Sequence, residues 1–168
     1  MRQTLAENGF YQPTISPKLT PHPNEQLVNI SFNVVSGYQA RIGKVQITGD
    51  SGMSVQEFRG YAHLKSDAHV DHDTANRALS GVLKHYQKQN RMEVELKLIS
   101  QHYDPANKRV NYSFSVNRGP VVKVLVQGAD IGDDRLRRII PIFEEGSVDE
   151  DLLNEGGRRL RDYYQRQG

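Results

Sequence analysis

Val28-Asn29-Ile30-Ser31-Phe32 and Val110-Asn111-Tyr112-Ser113-Phe114 are two copies of one alternating pattern, separated by 82 residues. In each copy every second side chain is apolar or aromatic, which is typical of a β-strand with one buried and one solvated face. A second pair of copies, Val70-Asp71-His72-Asp73 and Val148-Asp149-Glu150-Asp151, lies 78 residues apart. Recurrence in this order predicts a tandem array of small structural units.

The residues between the copies read as one complete β-α-α-β-β unit. A strand over residues 41–48 precedes a short helix, and a longer helix with an apolar stripe follows and ends before Asn90. Residues 91–99 and 110–116 then alternate as two strands, joined by the turn sequence Asp104-Pro105-Ala106-Asn107. The pattern therefore predicts a small sheet with two helices.

The two ends of the chain fit pieces of the same template. The N-terminal end reads as a helix end, a weak strand near residues 13–19, a Pro-rich loop and a strong strand at 28–35. The C-terminal end reads as a strand at 121–126 followed by two helices, the second over residues 149–167. Each end therefore supplies part of a unit.

These pieces predict a division into three domains. Residues 1–37 are the C-terminal part of a unit, residues 38–118 are a complete unit, and residues 119–168 are the N-terminal part of a further unit. Residues 1–37 of another chain would complete the last piece, which gives a homodimer by exchange of terminal half-units. The alternative is a window from a longer array.

The composition limits the classes of function. Lys and Arg number 22 against 20 Asp and Glu, a near-balance that disfavours a dedicated nucleic-acid-binding protein. Cysteine is absent, which excludes disulfide bonds, thiolate chemistry and cysteine-based zinc sites. No run of about 18 apolar residues occurs, so no membrane-spanning helix is predicted.

Histidines and aspartates cluster before the second helix and could be taken for metal ligands. The repeat favours helix capping instead, because Asp71 and Asp73 recur as Asp149 and Asp151 whereas the neighbouring histidines do not recur. Capping requires the aspartates, and a zinc site would require the histidines. We therefore predict structural helix caps at these four aspartates, and neither a metal site nor a cofactor.

Glu93 and Glu95 could form a pair of catalytic acids, but Lys97 shares their strand face and no nucleophile accompanies them. A solvated strand face explains the two carboxylates better, so we predict no catalytic residues and no enzyme activity. Arginines near residues 135–138 and 158–161 are predicted to be helix-surface charges. A patch for anionic lipid or nucleic acid is the alternative for them.

The repeated order β-α-α-β-β resembles the polypeptide-transport-associated (POTRA) domain of the BamA-like and TamA-like surface antigen family. Residues 34–49 resemble the segment that joins two such domains, and Arg118-Gly119-Pro120 with Gly128 repeats its skeleton. The end of the second helix, with Tyr86 and then Asn90, also resembles the family and recurs in the pairs Leu5/Gly9 and Tyr164/Gly168.

This resemblance implies an α+β fold of tandem β-α-α-β-β units, each a three-stranded mixed sheet with two helices on one face. It implies a periplasmic location, at the inner side of the bacterial outer membrane. The implied work is to receive unfolded outer-membrane or secreted polypeptides by β-augmentation. The implied partners are these polypeptides, accessory assembly proteins, neighbouring POTRA units and a β-barrel absent from this chain, with no nucleic acid.

In this family the final strand is central and the strand before it lies at an edge. The resemblance therefore implies a client-binding edge formed by Arg91, Met92, Glu93, Val94, Glu95, Leu96, Lys97, Leu98 and Ile99. Unpaired N–H and C=O groups of such an edge can pair with an extended client, and its charged side chains limit aggregation. The sequence leaves open whether Glu95 or Leu96 points its N–H at the open edge.

Two other functions remain open at this point. KH-type RNA-binding domains also begin β-α-α-β-β, but they hold the phosphate backbone with a Gly-x-x-Gly loop between the two helices. Here Gly49-Asp50-Ser51-Gly52 precedes the first helix instead. The second of these functions is that of a POTRA-type scaffold of an inner-membrane division protein.

Overall fold

The computed structural model describes residues 1–166, apart from the side chain of Glu25. Its helices are α1 (Arg2–Glu7), α2 (Val55–Tyr61), α3 (Thr74–Lys88), α4 (Asp133–Ile139), α5 (Ile142–Glu145) and α6 (Glu150–Gln165). Its strands are β1 (Thr14–His22), β2 (Leu27–Val35), β3 (Arg41–Asp50), β4 (Glu95–Asp104) and β5 (Arg109–Asn117). None of these helices has the length and apolar character needed to cross a bilayer.

The middle of the chain folds in the predicted order, as β3, α2, α3, β4 and β5. β5 lies at the centre of a three-stranded mixed sheet, parallel to β3 and antiparallel to β4. The two helices bury their apolar residues against one face of this sheet. The predicted α+β fold class is confirmed, and so is the central position of the final strand.

The alternation of β5 organises the core of this unit. Val110, Tyr112, Phe114 and Val116 are all buried and point to the same face. Phe58 of α2 packs on Phe114 with ring centroids 5.1 Å apart. One strand therefore supplies the apolar surface on which both helices rest.

α2 begins with a capping box that the pattern of apolar residues did not reveal. Ser54 Oγ accepts a hydrogen bond from the Glu57 N–H at 3.2 Å, and the Glu57 carboxylate accepts one from the Ser54 N–H at 2.8 Å. These bonds hold the pKa of Glu57 below its ordinary value. The Ser-x-x-Glu spacing carries this signal in the sequence.

The start of α3 differs from the prediction for Asp71. The N-cap position belongs to Asp73, whose side chain makes no capping hydrogen bond. Asp71 lies ahead of the helix because Thr74 Oγ1 accepts its N–H at 2.9 Å, and its carboxylate accepts the Asp73 N–H at 3.0 Å. The Arg77 guanidinium donates to the same carboxylate and lowers the pKa of Asp71.

α6 begins in the way expected of an N-cap aspartate. Asp149 has extended backbone angles, and its carboxylate accepts the Leu152 N–H at 2.9 Å. Asp151 lies in the first turn, where a negative charge favours the helix N-terminus. The two copies of the Val-Asp-x-Asp sequence thus use different aspartates at the N-cap position.

β1 and β2 form a two-stranded antiparallel ribbon joined by the 3₁₀ turn Pro23–Glu25. The predicted Pro-rich loop is wrong in part, because β1 continues to His22. Pro17 and Pro21 lie four residues apart and so point to the same edge of the strand. A proline is tolerated in an edge strand where its missing N–H would face outward.

α4, α5 and α6 enclose a small core of Leu136, Ile140 and Ile142. The predicted strand at 121–126 is wrong for the described structure, since no described strand pairs with it. Val122, Val124 and Val126 nevertheless pack against the helices as strand residues would. The predicted helix end at Gln167 and the matched Gly168 lie outside the described residues.

The same hydrogen bond marks both junctions between successive parts of the chain. The Ala40 N–H donates to Gly9 O at 2.8 Å, and the Val122 N–H donates to Asn90 O at 2.7 Å. Gly9 and Asn90 both have left-handed backbone angles after a helix, as predicted for Asn90. The division at residues 37/38 and 118/119 stays a prediction.

Candidate functional site

β4 runs along one edge of the sheet and contains part of the predicted client-binding edge. Its residues are Glu95–Asp104, so the strand holds Glu95, Leu96, Lys97, Leu98 and Ile99, whereas Arg91, Met92, Glu93 and Val94 precede it. Arg91–Val94 form the segment between α3 and β4, where the Arg91 N–H donates to Tyr86 O in the last turn of α3 at 3.0 Å and Met92 is buried. The prediction based on alternation therefore placed the start of this strand four residues too early.

The strand also continues beyond the predicted end, through a β-bulge at Ile99. Leu98 pairs with Phe114 and Ser100 pairs with Ser113, which leaves Ile99 unpaired and 62% exposed. A bulge shifts the alternation by one residue, so the residues after it no longer match a period of two. This shift explains why sequence reasoning missed the second half of β4.

The outer edge of β4 is open in the described part of the chain. Its backbone hydrogen bonds there run to β5, and none joins it to another segment. The start of β3, at the opposite edge, is covered: the Ile42 N–H donates to Ala68 O and the Val70 N–H donates to Ala40 O, both at 2.9 Å. β4 is therefore the better edge for strand addition.

The hydrogen bonds between β3 and β5 reveal which β4 residues face outward. Thr48 Oγ1 donates to Phe114 O at 3.2 Å, so the backbone groups of Phe114 point to β3. Its partner Leu98 then sits in a non-hydrogen-bonded pair and points its own N–H at the open edge. Lys97 has the opposite parity, so its backbone N–H points to β5.

The positions of proline in the ribbon of β1 and β2 support the same parity for β4. Pro17 pairs with Phe32, which is the repeat copy of Phe114, so Pro17 occupies in β1 the position of Leu98 in β4. A proline there requires that the position does not donate to the neighbouring strand. The N–H groups of Leu96 and Leu98, rather than those of Glu95 and Lys97, therefore point to the open edge.

The side chains of β4 give its two faces different chemistry. Leu96 and Leu98 are half-buried against the core, beside α3, whereas Glu95 and Lys97 are exposed on the other face. A strand added here would place alternate side chains against the apolar face and leave the others in solvent. This geometry suits binding of main chain, with little demand on sequence.

The histidines near α3 are dispersed. His69 forms a backbone bridge with Arg41, and His72 Nε2 lies 3.2 Å from Asp73 Oδ2. Within residues 1–166, no three His, Cys, Asp or Glu side chains are arranged to hold a metal ion. The absence of a metal site stays a prediction.

We expect thermal unfolding curves in excess EDTA and in excess zinc to superimpose, because α3 is held by Asp71, Thr74 and Arg77 without a metal. Far-ultraviolet circular dichroism measures the transition. A zinc-dependent rise of several degrees that disappears when His69 and His72 are both replaced by alanine would contradict this prediction.

The remaining alternatives find less support in the geometry. Gly49 lies within β3, one residue before its end, and Gly52 precedes α2. The loop 62–73 between α2 and α3 contains no glycine, so the phosphate-binding loop of a KH domain is missing there. On α6, Glu155 accepts hydrogen bonds from both Arg158 and Arg159 at 2.7–2.9 Å. Both arginines are thus paired with one carboxylate on their own helix surface.

Comparison with known proteins gives similarity in structure but not in sequence. No family model and no curated protein matches the sequence. POTRA domains 3–5 of Haemophilus influenzae BamA share 17% identity at a TM-score of 0.46, over 96% of this chain and 66% of that one. The N-terminal domain of Omp85 from Thermosynechococcus elongatus shares 14% identity at 0.45, over 94% and 67%.

A single domain, POTRA4 of Haemophilus influenzae BamA, shares 14% identity at a TM-score of 0.40, over 51% of this chain and 98% of that one. The chain spans just under two thirds of the BamA POTRA3–5 structure. POTRA is also the domain that the repeated pattern of the sequence resembles. At these identities the likeness is one of fold alone.

Proposed function

We propose that this chain is a polypeptide-binding scaffold that receives unfolded clients by strand addition at the outer edge of β4. The observation that carries the proposal is the open edge, with Leu96 and Leu98 directing their N–H groups outward. An extended client would pair with these groups and extend the sheet to four strands. Because the contact is main chain, many client sequences would fit.

The POTRA resemblance suggests where such an edge would work. The clients would be unfolded outer-membrane or secreted proteins, the compartment the periplasm, and the partners accessory assembly proteins and adjoining POTRA units. The chain would act as a scaffold without catalysing a reaction. The client class, the compartment and the partners are proposed from this resemblance and not from the residues of β4.

Proline substitution tests the edge. Leu98→Pro removes an outward N–H, so we expect an unchanged far-ultraviolet spectrum together with about tenfold weaker binding of an extended peptide. Lys97→Pro removes an N–H that binds β5 and should unfold the sheet. The probe is a fluorescent peptide of alternating apolar and polar residues that ends in an aromatic residue, followed by anisotropy.

Matched variants distinguish the main-chain contribution to peptide binding from the side-chain contribution. Leu98→Ala loses the same apolar side chain but keeps the N–H, so it should bind more tightly than Leu98→Pro. Glu95→Lys reverses an exposed charge and should change binding by about twofold or less. If folded Leu98→Pro binds the peptide as well as Leu98→Ala does, the edge of β4 is not the client site.

A further inference from the structure

The ribbon of β1 and β2 exposes a continuous apolar face. Opposite pairs on this face are Pro17/Phe32 and Leu19/Ile30, extended by Ile15/Val34 and Pro21/Val28. Phe32 is 56% exposed, and Leu19, Ile30 and Val28 on the same face are 54–65% exposed. Two nine-residue strands give the face about 300 Å² in plan, comparable to the largest apolar patch of a typical monomer, which is often functional.

The same chain shows what covers such a face. β5 is the repeat copy of β2, and its residue Phe114, the counterpart of Phe32, is fully buried. The cover of that copy consists of α2 and α3, and β3 pairs in parallel with β5 at its side. Among the described residues, no third strand and no pair of helices covers the ribbon in the way that β3, α2 and α3 cover β5.

The C-terminal part contains the equivalent strand segment and helices, and no described hairpin pairs with them. α6 is the repeat copy of α3, and Leu160 and Tyr164 stand where α3 has Val82 and Tyr86. Val82 and Tyr86 are fully buried, whereas Leu160 and Tyr164 are only half-buried. Residues 121–126 likewise have no strand partner among the described residues.

The ribbon and the C-terminal part of one chain leave the middle unit at opposite ends of β3. The ribbon joins the middle unit at Ala40, before the start of β3, and the C-terminal part joins it at Asn90, near the end of α3. Tyr86, at that end of α3, donates to Ser51 O just after β3. The two junctions thus lie at opposite ends of a ten-residue strand, about 30 Å apart.

We propose that residues 119–166 of one copy cover the apolar face of the ribbon of a second copy, with residues 121–126 adding to β2 as a parallel strand. The register is set by aligning Gly128 with Gly49, two glycines with the same left-handed φ. In the complete unit Val45 pairs with Tyr112 and Ile47 with Phe114. Transferred to the repeat copies, Val124 lies opposite Ile30 and Val126 lies opposite Phe32.

α1 is displaced in this assembly, because it repeats the last turns of α6 and would occupy the same place. Its displacement costs little, since none of its residues is buried. Each copy offers one ribbon and one cover, so the assembly is a ring of two or more copies or an open chain.

Light scattering after size exclusion tests the association. We expect the mass of the parent chain to rise with concentration from 19.1 kDa to at least twice that value. Phe32→Glu puts a charge on the apolar face and should weaken association about 100-fold, whereas Asn33→Glu, on the opposite face of the same strand, should leave it within about twofold. Deleting residues 2–7 should strengthen it.

Cysteine pairs test the register in a chain that has no cysteine of its own. In the complete unit Gln46 pairs with Ser113, so the equivalents Leu125 and Ser31 should lie side by side on the outer face. Leu125→Cys chains mixed with Ser31→Cys chains should form a mixed crosslinked dimer under mild oxidation. Thr20→Cys, one strand farther away at about 10 Å, is the matched control and should not link.

Four results would overturn the proposal. A parent chain that stays monomeric at every concentration would do so, as would equal effects of Phe32→Glu and Asn33→Glu. Equal crosslinking of the Ser31 and Thr20 partners would show that the contact is not the one described. A double variant with cysteines at positions 31 and 125 should give linked dimers or longer linked chains, and a monomer linked within itself would also refute the proposal.

Discussion

Replacing Phe114 by alanine is expected to lower the free energy of unfolding by about 3–5 kcal/mol, the cost of truncating a fully buried aromatic residue. Phe114 lies at the centre of β5 and packs on Phe58 of α2. Stabilities of natural domains are only about 5–15 kcal/mol, so this variant should be close to unfolding. Urea titration followed by far-ultraviolet circular dichroism measures the change.

The chain contains a matched control for this substitution. Phe32 stands at the same place in the repeat, yet its side chain is 56% exposed. Phe32→Ala should change the free energy of unfolding by about 0.5 kcal/mol or less when the protein is dilute enough to be monomeric. Equal losses for the two variants would mean that the ribbon is buried in the monomer, contrary to the described structure.

Gly81→Ala is expected to destabilise the protein by about 1–3 kcal/mol through crowding between two helices. A Cβ on Gly81 of α3 would fall well inside van der Waals contact of Tyr61 O, at the end of α2. The ring of Tyr61 also stacks on His85 at 3.5 Å, so separating the helices would disturb this contact. Urea titration again gives the change in free energy.

Gly60→Ala provides the control of opposite sign. Gly60 lies in α2, and a Cβ there would meet nothing within 4 Å. Alanine restricts the unfolded chain and favours the helix, so this variant should be more stable by roughly 0.5–1 kcal/mol. If both alanines stabilise the protein to the same degree, α2 and α3 do not approach each other at Gly81.

The sequence predicted most of the middle unit because its signals are local. β5 alternates without interruption, Asn90 marks the end of α3, and Asp104 turns the chain between β4 and β5. These features depend on neighbours along the chain. The same holds for the Ser54–Glu57 capping box, which a search for Ser-x-x-Glu would have found.

The missed features depend on contacts between distant residues. Met92 and Val94 alternate like strand residues, but they lie in the segment between α3 and β4, where Met92 is buried and Val94 packs against the core. The bulge at Ile99 hides the second half of β4, and strand parity became clear from a hydrogen bond between Thr48 and Phe114. Residues 121–126 have the composition of a strand but no described partner to pair with.

The backbone bond that recurs at both junctions has a mechanical consequence. The amides of Ala40 and Val122 each bind the carbonyl group that ends the preceding helix, at Gly9 and Asn90. A linear array built with one such joint per repeat adds the rotation at each joint to the next, so its curvature follows from this local torsion. The left-handed residue, Gly9 or Asn90, supplies the carbonyl group at each joint. Because glycine has the larger range of backbone angles, we expect lower torsional stiffness at the Gly9 joint than at the Asn90 joint.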